Sequence, residues 1–91
     1  MNELLILVSE TGRREVFCRL ASIGQQEFYL AQAAGLKPEL KFVLTDYLDY
    51  ENEFLCIYED EFYAVLRTYR TGQELEIIVR RASKEESALY G

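Results

Sequence analysis

Apolar and polar residues alternate with a period of two through most of this chain, and one stretch alone breaks the pattern. In Glu15–Ala21, Val16, Cys18 and Leu20 point one way, and Glu15, Phe17 and Arg19 the other. Beyond Glu39, Leu40, Phe42 and Leu44 oppose Lys41, Val43 and Thr45; later Leu75, Ile77 and Val79 oppose Glu74, Glu76, Ile78 and Arg80. A period of two builds half-buried strands. The exception is Glu27-Phe-Tyr-Leu-Ala-Gln-Ala-Ala-Gly-Leu-Lys-Pro38, which reads as helix. Ser22 with Gln25 three residues on suggests a capping box, helix formers fill the interior, Gly35 supplies a left-handed terminator and Pro38 blocks continuation. The apolar stripe is thin: Phe28 and Ala31 share a face with Leu30 and Ala34 beside them, while Tyr29 and Ala33 lie on another flank. A helix of about three turns with so little to bury depends on a surface it docks against.

The remaining strands follow from composition and turns. Leu4–Val8 reads as a first strand, and Ser9–Arg13 as a turn in which Gly12 is free to take positive φ. Phe54–Tyr58, Phe62 to about Arg70, and Glu74–Arg81 complete the set. Asp46–Glu53 reads as an irregular, solvated acidic loop, and residues 82–91 as a flexible C-terminal tail. The expected fold is mainly β: a small antiparallel β-barrel of about six strands, residues 1–81, with one short helical insertion at about 24–34. Closure is how so small a sheet removes its sticky edges.

Ninety-one residues suffice for one core and no more. The net charge is −6, and the seven acids between positions 46 and 61 have no base among them. Groove binding to nucleic acid draws on clustered Lys and Arg, which this chain lacks. The longest apolar run, Leu4–Val8, is far short of a membrane span and follows an acidic residue, so the expectation is a cytoplasmic, unsecreted protein without membrane contact. Cys18 and Cys56 sit within strands and read as buried, reduced thiols.

Chemistry is hard to assemble from these residues. Without histidine the commonest general base and the usual nucleophile pairings are missing. Two cysteines alone make no tetrahedral zinc site. Asp46, Asp49, Glu51 and Glu53 do not follow EF-hand spacing. The sequence therefore points to a non-enzymatic protein with no cofactor and no metal. Tyr58, Phe62, Tyr63 and Tyr69 offer two readings: cross-strand packing, or a stacking platform for single-stranded nucleic acid.

Four stretches, in order, carry a resemblance: Arg14-Glu-Val-Phe-Cys18; Glu27-Phe-Tyr with Ala33-Ala-Gly-Leu-Lys-Pro38; Tyr58-Glu-x-x-Phe-Tyr-x-Val65; and Arg67-Thr-Tyr69 followed by Glu74-Leu-Glu-Ile77. Together they resemble the head closure (head–tail joining, or connector stopper) proteins of long-tailed bacteriophages and prophages, over roughly residues 3–81. The resemblance implies a small barrel assembling as a ring of its own copies beneath the portal and adaptor. Such a ring retains packaged DNA as passing cargo and offers a docking surface to the tail or a tail-completion protein. It places the protein in the virion, and in the bacterial host cytoplasm during assembly. It also implies that the insertion projects towards the channel or a neighbouring subunit, with Gln25, Gln26, Glu27, Phe28, Tyr29, Leu30, Gln32, Gly35, Leu36 and Lys37 as its contact residues. Phe17, Tyr58, Tyr63, Arg67, Thr68 and Tyr69 are the positions matching the family pattern. The family's usual Gly near Glu59-Asp60-Glu61 is missing, which predicts a wider turn there, and the first interstrand loop is short. The alternative reading is a monomeric small-barrel module that binds a peptide or single-stranded nucleic acid.

Overall fold

The computed structural model describes residues 3–35 and 37–90. Its elements in order are strand β1 (Glu3–Ser9), strand β2 (Gly12–Ala21), helix α1 (Gln25–Ala33), strand β3 (Leu40–Leu44), strand β4 (Leu55–Tyr58), strand β5 (Glu61–Thr71), strand β6 (Glu74–Arg81) and helix α2 (Lys84–Tyr90). A single turn of 3₁₀ helix, Tyr47–Asp49, interrupts the connection from β3 to β4. The six strands are antiparallel and close into a barrel in the order β1-β2-β3-β6-β5-β4. The expected barrel with its insertion between the second and third strands is what forms.

The alternation read from sequence sorts side chains between the two faces of the wall. Leu5 lies opposite Val16, Cys18 opposite Leu44, and Phe42 opposite Ile77, all pointing inward. These residues, with Leu7, Cys56, Tyr58, Tyr63, Leu75 and Val79, make the interior. Burying one Leu, Ile or Phe side chain completely stabilises by about 1.5–3 kcal/mol, so this cluster is the main source of stability. Phe42 and Tyr58 meet edge to face with ring centroids 5.0 Å apart. Both cysteines are free and fully buried, and burial pushes the Cys18 thiol up to about 11 and the Cys56 thiol up to about 12. At neutral pH they are protonated and act as small apolar side chains, as their setting in the sequence suggests.

A second cluster lies on the opposite face of the wall: Val8, Leu55, Ile57 and Ala64, joined by Ile6, Phe62 and Ala82. It explains why β4, Leu-Cys-Ile-Tyr, is buried on both faces and reads as a continuous apolar run. In β5 the register against β6 slips between Val65 and Arg67, leaving Leu66 as the extra residue of a bulge. Before the bulge Tyr63 and Val65 belong to the interior. Beyond it Thr68 and Arg70 lie opposite the inward Ile77 and Leu75, and Arg67 and Tyr69 opposite the outward Ile78 and Glu76.

Three expectations are corrected. The Glu59-Asp60 turn is not wide: Tyr58 pairs with Glu61, and both central residues take positive φ, 49° and 65°. That is the type I′ pattern which Asn-Gly adopts at lower cost; the twist of the flanking strands imposes it here on two acids. The C-terminal run contains α2 rather than being tail throughout. Ser83 Oγ accepts from the Glu86 N–H at 3.1 Å and the Ser83 N–H donates to Glu86 Oε1 at 2.9 Å, a full capping box that the small, polar composition conceals. The acidic loop is not solvated throughout either, since Glu53 is buried.

Candidate functional site

Helix α1 begins two residues later than the Ser22–Gln25 pair suggests. Gly24 is its N-cap, and the Glu27 carboxylate reaches back to accept from the Gly24 N–H at 3.3 Å. Gly24 has no side chain to return the bond, so only half of a capping box forms. At the other end the Ala34 N–H donates to the Leu30 and Ala31 carbonyls, and the Gly35 N–H to the Gln32 carbonyl at 2.9 Å. Gly35 terminates the helix with φ 81°, as the sequence indicates.

A buried side chain and an ion pair hold the helix on the outside of the barrel. Ala31 is its only buried residue, at 6% exposure. Lys41, on the outer face of β3, donates to Glu27 Oε1 at 3.0 Å and pairs with Glu76 of β6 at 2.8 Å, its own side chain only 12% exposed. Glu76 first and Glu27 second hold the Lys41 ammonium above its usual range, and Lys41 in turn holds Glu27 below the usual carboxylate range. Glu27 therefore anchors the helix to the barrel.

The rest of α1 is largely open to water. Phe28 is 39% exposed, Tyr29 66% and Leu30 57%, and Gln25, Gln26, Gln32 and Lys37 are also exposed. Leu36, assigned to the same surface from sequence, lies outside the described residues. Three large apolar side chains on one nine-residue helix therefore meet water, spread around it rather than along one stripe, with Phe28 on the Ala31 side and Tyr29 on the far side. A second apolar surface lies on other strands. Leu4 of β1 stands opposite Phe17 of β2 on the outer face, and both are exposed.

The positions that carry the resemblance divide between core and surface. Tyr58 and Tyr63 are buried in the interior, and the Tyr58 hydroxyl donates to Glu3 Oε1 at 2.8 Å. Phe17, Arg67, Thr68 and Tyr69 are exposed, and the Arg67 guanidinium lies 4.9 Å from the Tyr69 ring centroid. A common stacking platform does not form: Tyr58 and Tyr63 face inward, Phe62 outward, and Tyr69 lies beyond the bulge.

One cluster went unread in the sequence. Arg14 donates to Glu53 Oε2 through Nε at 3.2 Å and also through its terminal nitrogen, which additionally reaches the Asp49 carbonyl at 2.8 Å. The other Glu53 oxygen accepts from the Glu51 N–H at 2.7 Å, and the Tyr50 hydroxyl donates to the Glu53 carbonyl at 2.7 Å. This clasp ties residues 49–53 against β2. The available signal was Arg14 itself, a cation in phase with the inward Val16 and Cys18, whose charge needs a partner at the barrel end.

Set beside models of protein families, curated proteins and solved structures, the chain matches none of them.

Proposed function

We propose that this chain is a structural subunit of a phage head–tail connector, a head closure protein that assembles as a ring beneath the portal and adaptor. The observation that carries the reading is α1 itself. It is pinned to the barrel by Ala31 and the Glu27–Lys41 pair while Phe28, Tyr29 and Leu30 face water. A short helix held by one small side chain and one ion pair, with its three large apolar side chains in water, suits contact with another subunit or with the channel. A ring also needs two different patches that meet head to tail. The Leu4–Phe17 pair on β1 and β2 supplies a second apolar patch distinct from α1. The net charge of −6 suits a channel that passes DNA without gripping it. The role acts by assembly and gating and calls for no catalytic step, cofactor or metal; its partners are copies of itself, the portal–adaptor complex, and the tail.

Light scattering after size-exclusion chromatography, with and without a portal–adaptor complex, tests this. The expected result is a ring forming on the complex and lost when Phe28, Tyr29 and Leu30 are replaced by Ser. A chain that ignores the complex, stays monomeric and binds oligonucleotide instead would support the small-module alternative and overturn the ring.

A further inference from the structure

Barrel closure leaves one half-strand unpaired. β4 pairs with β5 only from Glu61 to Ala64, and the ladder ends where the Val65 N–H donates to the Phe54 carbonyl. The chain before Phe54 then turns away, because the Arg14–Glu53 clasp draws it towards β2. Past the Leu66 bulge, β5 runs on to Thr71 with a neighbour on its β6 side alone among the described residues. Bonded and non-bonded pairs alternate along an antiparallel ladder, and the pair flanking a two-residue turn is bonded. Thr71 and Glu74 flank such a turn, so Tyr69 and Thr71 spend their backbone groups on β6. Thr68 and Arg70 direct theirs to the open side, where both residues are exposed.

The charges beside this edge are unusual for an acidic molecule. Arg67 stacks on Tyr69 on the outer face, and the Arg70 guanidinium lies 3.5 Å from the Tyr47 ring centroid on the inner side. The Arg70 Nε also donates to the Gly72 carbonyl at 3.0 Å, and Arg67 lies within electrostatic reach of the Glu27 carboxylate, so the terminal N–H groups of the two are the donors that would meet an incoming carboxylate. The two lie three residues apart, about 10 Å along the strand, one on each side.

We propose that the Thr68–Arg70 edge of β5 is a strand-addition site for an extended acidic segment of a partner protein. Main-chain bonds from Thr68 and Arg70 would supply the pairing, and carboxylates three residues apart on that segment would meet Arg67 and Arg70. This goes beyond the ring reading and does not depend on it. The competing account is that the arginines only guard an edge against aggregation.

The probe is a Val/Thr-rich peptide carrying two Glu three positions apart, followed by amide chemical shifts and hydrogen exchange in the full chain. Expected are shifts centred on residues 66–71 and slowed exchange of the Thr68 and Arg70 amides. Affinity should fall about tenfold when the peptide's pairing amides are N-methylated. The double variant Arg67→Glu, Arg70→Glu should reverse the preference towards a peptide with Lys in place of Glu. Equal binding of the N-methylated peptide, or no shift at 66–71, overturns the proposal and leaves the guarded-edge account. Concentration-dependent broadening at 66–71 without peptide also overturns it, by assigning the edge to a second copy.

Discussion

Arg14 and Glu53 form an asymmetric pair: the Arg14 side chain is 41% exposed and that of Glu53 only 4%. Removing either partner leaves a different residue stranded. Arg14→Met strands a buried carboxylate and should cost about 3 kcal/mol. Glu53→Gln should cost less, about 1–2 kcal/mol, because Arg14 regains water and the amide oxygen still accepts from Glu51. Urea midpoints of the two variants check the order, and losses below about 1 kcal/mol in both would mean that the clasp contributes no more than an exposed pair. At the Glu59-Asp60 turn the sign is opposite. Both residues sit at positive φ, which costs a non-glycine residue about 1 kcal/mol or more. Glu59→Asn with Asp60→Gly should raise the unfolding free energy by about 1 kcal/mol with the denaturant slope unchanged. A loss of stability would show that the acids at this tip make compensating contacts.

At the scale of elements, strands were legible because the period of two is a burial pattern, and burial is what the barrel enforces on Val16, Cys18, Phe42 and Ile77. The insertion was legible from its break in that period, and Gly35 ends it where expected. Two features were hidden for physical reasons. The Leu66 bulge inverts the faces of β5, so Thr68 and Arg70 share the inward side though the preceding alternation puts even positions outward. Helix α2 lacks an apolar period and is held by polar contacts: Arg80 pairs with Glu86 at 2.7 Å, and Ser83 caps the same carboxylate. Those contacts carry a pH signature. The Arg80 guanidinium first, and the Ser83 N–H second, hold the Glu86 carboxyl down to about 2 from a usual value of 4.5. Its folded-state value lies below the unfolded one, so its stabilisation is complete above about pH 4.5 and disappears as the pH falls towards 2. Amide protection across residues 84–88, taken relative to the unstructured-peptide rate at each pH, should fall through that window, and Glu86→Gln should flatten the profile. An unchanged profile in the variant would place the acid sensitivity elsewhere.

For the whole molecule, the barrel and its insertion are separable in construction. Ala21 of β2 lies directly opposite Lys41 of β3, so residues 22–25 and 37–39 can join the two strands as an ordinary loop. Deleting residues 26–36 removes the buried Ala31 and the Glu27 anchor, but Lys41 keeps its pair with Glu76 and the interior cluster loses none of its residues. The shortened chain should fold into the same barrel with a loss of roughly 1–2 kcal/mol, the scale of one partly buried ion pair and one Ala methyl. Circular dichroism with chemical denaturation reads that outcome. If the deletion unfolds the domain, α1 is part of the core, and its exposed Phe28, Tyr29 and Leu30 lose their claim to be an assembly surface. If the barrel survives, the same variant isolates the role of the insertion. Under the proposed head-closure role, capsids completed with it should leak packaged DNA even though the subunit is folded, whereas tight retention would count against the insertion as the plug of that proposal.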